Sequence, residues 1–230
     1  MKNLLALSLC LSVLAINAQK VIEKNLTYKG QFIELNTAFA SDIEVKTWDK
    51  PTIYLKATLS SEEPELLTYY DLKIQEGKDR ITISSDTEAF FEAYKEKRKK
   101  EKKRYWCQEY EFNYVLYVPK KADMKVKSIN GSLHSDEIVG DFEADLINGD
   151  IEIKKYAGKL VLNTINGVID LKVGDASFTA ETIHGDIYAH ESLKITGTDR
   201  HVGQKIRSSA SNNANQLTLN TINGNMYLRL

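Results

Sequence analysis

The chain reads SINGSL at 128–133, LINGDI at 146–151, TINGVI at 164–169, TIHGDI at 182–187 and TINGNM at 221–226. The glycines at 131, 149, 167 and 185 stand 18 residues apart, and the fifth, at 224, follows after 39. A fixed spacing near 20 marks one structural unit stacked on itself. Seven residues before each glycine stand Met124, Phe142, Leu160, Phe178 and Leu217, and five before stand Val126, Ala144, Leu162, Ala180 and Leu219. Two before, isoleucine recurs at 129, 147, 165, 183 and 222; two after come Leu133, Ile151, Ile169, Ile187 and Met226. Apolar and polar positions alternate on each side of the Asn-Gly pair, which is strand periodicity. Gly140 and Gly158 mark a second corner nine residues after the first. Each unit therefore predicts two or three short strands joined by tight corners.

Two architectures fit. Asn-Gly between alternating strands is a strong hairpin signal, which would give an antiparallel meander. The alternative is an all-β fold of the β-solenoid type, about 18 residues per coil, with Asn-Gly as one corner of each coil. The solenoid is the preferred reading, because only stacked coils require matching apolar columns at an unvarying spacing. The repeat corners are then Asn130-Gly131, Asn148-Gly149, Asn166-Gly167, His184-Gly185 and Asn223-Gly224. Stacking about 4.8 Å apart would align Asn130, Asn148 and Asn166 in an amide ladder, with His184 breaking it and Asn223 restoring the residue type. Ile165 is expected inside, buried between two coils. Residues 190–216 interrupt the columns and read as a degenerate coil or excursion. If the 221–230 coil closes the stack uncapped, its edge should template oligomers.

Three segments follow from composition: a signal peptide at 1–18, a less regular N-terminal β region at 19–122, and the repeats at 123–230. Lys2, the 13-residue apolar run Leu4–Ile16 and Ala18 before Gln19 read as a secretory leader, too short to span a membrane. Loss of that leader removes Cys10 and leaves Cys107, so no intrachain disulfide can form. The whole chain carries 31 basic and 32 acidic side chains, a balance that gives no reason to expect nucleic acid. From Val21 to Thr87 short apolar runs recur about every ten residues, and they read as strands that cap or continue the stack.

The insertion 88–106 reads EAFFEAYKEKRKKEKKRYW, rich in helix formers and without proline or glycine. Lys95, Lys97, Arg98, Lys99, Lys100, Lys102, Lys103 and Arg104 concentrate positive charge there. Its plain reading is a solvated helical arm; its functional reading is an anion-docking arm for anionic lipid or glycolipid.

The strand YVLYVP (114–119), followed by VKSINGSL, LINGDIEI, TINGVIDL and the terminal TINGNMYLRL, resembles a bacterial family of exported β-strand-repeat proteins labelled "putative adhesin", of unknown function. The upstream SDIEVKTWDKPTIYLKA (41–57) resembles its N-terminal part. The resemblance implies a β-solenoid and an envelope or surface location. It brings no catalytic residues.

Enzymatic signals are sparse. Asp150 and Asp186 each follow a repeat glycine, two coils apart in chain order, and so about 9.6 Å apart, near the separation of an inverting glycosidase pair. Aspartate is also a favoured turn residue. The four histidines, at 134, 184, 190 and 201, have no metal-ligand spacing. No catalytic, cofactor or metal residues are assigned. The preferred reading is an exported, non-enzymatic binding or adhesin-like module (periplasmic, surface-held or secreted) for an envelope component, surface glycan or protein. A self-assembling homo-oligomeric structural protein is the alternative, and a polysaccharide-active enzyme comes third.

Overall fold

A computed structural model describes residues 19–101, 110–199, 202–210 and 215–230. The expected leader at 1–18, Cys107 and the Lys102–Arg104 part of the basic insertion lie outside the described residues. The fold is all-β, dominated, among the described residues, by one sheet of 18 strands.

The repeats pair in parallel and in register. Phe142–Asn148 lies between Met124–Ser135 and Lys159–Asn166, with Ala144 opposite both Val126 and Leu162. After each glycine a second ladder forms, Ile151 opposite both Leu133 and Ile169. The antiparallel meander is thereby excluded. A type I′ hairpin turn needs positive φ at both central residues, and none of the repeat asparagines has it. The glycines serve close approach instead. A Cβ on Gly149 or Gly167 would stand 2.1 or 2.0 Å from the carbonyl oxygen of the glycine one repeat earlier.

Alternation sorts the strand residues. Leu160 and Leu162 are fully buried, as are Ile169 and Leu171 beyond the corner. Thr164, Thr182 and Thr221, three before their glycines, also face inward, and their hydroxyls donate to the carbonyls of Gly149, Gly224 and Gly167 at 2.9, 3.0 and 3.1 Å. These three buried hydroxyls are thus paired, as burial demands. Ile165 is not inside: it is 39% exposed. The expectation of a buried isoleucine column is overturned, because Ile165 lies an odd number of residues from Leu162 and the pleat turns it outward.

The repeats do not stack in chain order. The fifth repeat, Gln216–Thr221 and Met226–Arg229, inserts between the third and the fourth. Leu219 faces Leu162 on one side and Ala180 on the other. Met226 lies opposite Ile169 and Ile187. The expected uncapped terminal coil is therefore corrected: the C-terminal repeat is paired on both edges. The far edge is taken by the irregular segment, whose strands Ile195–Asp199 and Gln204–Ser208 form an antiparallel hairpin that pairs with Ser177–Thr182.

This order gives a cross-linking prediction. Adjacent repeats bring equivalent Cα atoms to about 4.8 Å, within disulfide reach. In a Cys107→Ser background, His184→Cys with Asn223→Cys should oxidise to a bridge. His184→Cys with Asn166→Cys, two steps apart, should not. Mass spectrometry of the oxidised proteins decides it, and a bridge in only the second pair would reverse the order.

At the other end the N-terminal region continues the stack. Phe32–Asn36 and Phe39–Trp48 pair in parallel with Met124–Ser135, and Ala40 meets Gly131 where a repeat glycine would. Arg80–Asp86 and Tyr110–Pro119 add the next layer in parallel, and Thr52–Ser61 and Lys20–Thr27 follow antiparallel. The helix Glu88–Lys100 packs against this region. Phe90 and Tyr94, one turn apart, are both buried, with Phe90 edge-on to Phe112 at 5.4 Å. Phe91 packs edge-on to Phe39 at 4.7 Å. The hydroxyls of Tyr70 and Tyr114 share a hydrogen bond of 2.7 Å, and burial pushes the Tyr114 phenol up to about 12.

Candidate functional site

The pleat that hides Leu160, Leu162 and Thr164 turns the residues between them outward. Two before each glycine, Ile129, Ile147, Ile165, Ile222 and Ile183 form an exposed stripe in that spatial order, each 38–42% accessible. The stripe spans four steps of about 4.8 Å, about 19 Å in all. Four before each glycine the same sheet surface carries a polar column: Lys127, Asp145, Asn163, Asn220 and Glu181. The two columns line a groove of about 920 Å³ that runs across five repeats, with Asn36 and Ala38 at its N-terminal end.

The polar column is knitted together. Asn220 Nδ2 donates to Asn163 Oδ1 at 2.8 Å, and Asn163 Nδ2 donates to Asp145 Oδ1 at 2.7 Å. Each charged member has a counter-ion from this chain. Lys127 bonds Glu34 at 2.7 Å, Asp145 meets Lys125, and Glu181 bonds Lys205 at 2.5 Å. The Lys127 hydrogen bond foremost, with Arg80, holds the Glu34 carboxyl below its ordinary range against the pull of burial. Burial works to raise the Asp145 carboxyl, but Lys125 and Asn163 outweigh it and hold it low.

The predicted asparagine ladder is present at the corner beside the stripe. Asn148 Nδ2 donates to Asn130 Oδ1 at 3.0 Å, Asn166 to Asn148 at 2.8 Å and Asn223 to Asn166 at 2.8 Å. His184 ends the ladder, its backbone N–H bonded to the Ile222 carbonyl at 2.7 Å.

The other sequence candidates fall elsewhere. On the helix, Lys97 pairs with Glu63 and Glu65, Arg98 with Glu62 at 3.5 Å and Lys99 with Glu96 at 2.5 Å. Lys97 and Arg98 therefore tie the helix to the acidic segment at 62–65, Lys99 is paired within the helix, and Lys95 and Lys100 share that helix. Asp150 and Asp186 are three steps apart, about 14 Å, because the fifth repeat intervenes; the two-coil separation is corrected. Both positions serve corners: Asp150 Oδ1 accepts the Val168 N–H at 2.7 Å, and the Asp186 N–H donates to Asn225 Oδ1 at 3.0 Å. His134 lies 3.1 Å from Asp42, and His190 accepts the Ser192 N–H at 3.2 Å. Among the described residues no three histidine, cysteine, aspartate or glutamate side chains gather to hold a metal ion.

No protein-family model matches the chain, and no curated protein matches it. By structure it is similar to "a putative cell adhesion protein" from Clostridium sporogenes, with a TM-score of 0.58 and 11% identity over 92% of this chain and 99% of that one. Looser likenesses are to "a putative adhesin" from Parabacteroides merdae (TM-score 0.39, 14% identity, 74% of this chain and 72% of that) and a "putative lipid binding protein" from Parabacteroides distasonis (0.35, 10%, 92% and 97%). The chain is an all-β repeat protein with the fold of the first of these. The resemblance carried in the sequence by the Asn-Gly repeats is thus joined by a likeness of fold to that one protein.

Proposed function

We propose that the chain is an exported, non-enzymatic binding module of the bacterial cell envelope, built as a β-solenoid on residues 123–230 behind a capping β region at 19–122, with residues 1–18 as its leader. Its ligand site is the isoleucine-lined groove. The observation that carries this reading is the stripe itself. Strand propensity alone asks for a β-branched residue, and threonine would supply that without exposing apolar surface. The neighbouring outward column on the same strands is polar throughout, so the surface is patterned and not merely strand-like. A contiguous apolar stripe rimmed by polar groups is the usual mark of an interaction site. The basic helix is the lesser candidate, because Lys97, Arg98 and Lys99 are engaged within the chain.

The test is binding of labelled mature protein to isolated bacterial envelopes. Ile147→Ser with Ile165→Ser should leave the thermal midpoint close to that of the parent and weaken binding at least about tenfold, since two exposed aliphatic contacts of roughly 1 kcal/mol each are removed. Lys95→Gln with Lys100→Gln should bind as the parent does. Full binding by the isoleucine variant, or its loss in the lysine variant, would move the site to the arm.

A further inference from the structure

We infer that the groove takes an extended, uncharged polysaccharide chain lying along the stack, so that successive sugar units meet successive repeats. This rests on the groove being the ligand site. Three features of the groove select the ligand class.

The first is charge. Lys127, Asp145 and Glu181 line the groove, yet each is paired with Glu34, Lys125 or Lys205 of the same chain, Lys125 being shared between Asp145 and Glu143. A polyanion would meet two carboxylates, and a polycation would have to displace bound lysines. An uncharged ligand is complementary to a surface whose charges are already neutralised.

The second is the polar column. Each asparagine amide has two N–H donors and a carbonyl with two lone pairs. Asn163 uses one donor toward Asp145 and accepts one bond from Asn220. Its remaining donor and lone pair are available to a ligand along the groove. An acyl chain would cover them without replacing their water, which is unfavourable. Sugar hydroxyls both donate and accept, and they satisfy amides of either polarity. The aliphatic stripe opposite suits the C–H faces of the sugar rings.

The third is period. The contact pair, one isoleucine and one polar side chain, repeats about every 4.8 Å. An extended peptide returns a side chain to the same face only about every 6.6–6.8 Å, so it falls out of step within two or three repeats. One sugar unit of an extended chain advances by about one repeat spacing, and where successive rings alternate in orientation each still presents both C–H and hydroxyl groups, so unit and repeat stay in step.

The probes are uncharged oligosaccharides of graded length (glucans, mannans, galactans and N-acetylglucosamine chains), set beside acidic polysaccharides and a long-chain fatty acid, with the mature protein immobilised. The expected result is saturable binding of at least one uncharged series. Affinity should rise with length to about five units and then level, with little change between low and high salt. Asn163→Leu should weaken that binding about tenfold, the loss of a hydrogen-bonding amide, while circular dichroism and the thermal midpoint report an intact fold. Three results overturn the inference: no uncharged chain is held, acidic chains are preferred and released by salt, or the fatty acid binds and does so more tightly in Asn163→Leu. If no uncharged chain binds but the double isoleucine variant still loses its hold on envelopes, the groove stands and the ligand class falls. If both fail, the groove itself is wrong.

Discussion

Leu162→Asp is expected to lower the free energy of unfolding by at least about 4 kcal/mol, while Ile165→Asp, three residues further along the same strand, changes it by no more than about 1 kcal/mol. The substitutions introduce the same charge next to the same corner. Leu162 is fully buried between Ala144 and Leu219, in the inner column that runs through every repeat. An aspartate there finds no cation and no donor, so it must either take up a proton or open the stack. A buried charge without a partner belongs to the short list of changes that are severely destabilising. Ile165 stands on the outer face at 39% exposure. Its aspartate stays in water and loses only strand propensity and partial apolar burial. Urea unfolding of both variants measures the difference. Similar losses in the two would mean that the strand does not alternate as described, and the groove would lose its apolar wall.

That pair also shows what the sequence discloses and where the column reading stops. The inner columns are legible because Leu160 and Leu162 are two apart and recur in each repeat with the same parity. The amide ladder is legible because identical residues at identical register must stack. The isoleucines break the parity: Ile165 is three from Leu162, so one of the two must face out. Thr164, two from Leu162, is the inward residue, and a buried threonine is tolerated because the neighbouring glycine carbonyl accepts its hydroxyl. Hydrophobicity alone favours isoleucine over threonine for the core, and it misleads here because the hydroxyl has a partner. The order of the repeats is harder to read. Spacing suggests that the fourth unit follows the third. Yet His184 would interrupt an asparagine ladder in chain order, whereas in the observed order Asn130, Asn148, Asn166 and Asn223 run unbroken and His184 falls at the end. The 39-residue interval leaves enough chain for the return, and the hairpin formed from it covers the edge that the fourth repeat would otherwise present. The charges on the basic helix were legible as charges. Their partners Glu62, Glu63 and Glu65 were not, because the pairing depends on how the preceding turn packs against the helix.

Gly224→Ala should cost more than about 3 kcal/mol, whereas Gly174→Ala should cost about 1–2 kcal/mol. Gly174 has φ +58 and nothing within 4 Å of an added Cβ. Its penalty is that of placing an L side chain in left-handed backbone. Gly224 has no such backbone constraint, and its difficulty is space. An added Cβ would stand 1.9 Å from the Gly167 carbonyl oxygen and 2.7 Å from its carbon. Both obstacles are backbone, so no side chain can turn aside. The fifth repeat cannot move away either, because a Cβ on Gly185 would already lie 2.1 Å from the Gly224 carbonyl oxygen on the other side. Parting the third and fifth repeats would stretch the ladders on both sides of the corner and pull the Thr221 hydroxyl from the Gly167 carbonyl, now 3.1 Å away. Overpacking between two held backbones exceeds the usual 1–3 kcal/mol of a crowded core. If the last repeat instead sat at the free end of the stack, one side would be open, the strand would ride outward, and Gly224→Ala would cost no more than Gly174→Ala. Chemical denaturation of the two variants therefore distinguishes an inserted C-terminus from a terminal one, and equal midpoints would reject the insertion.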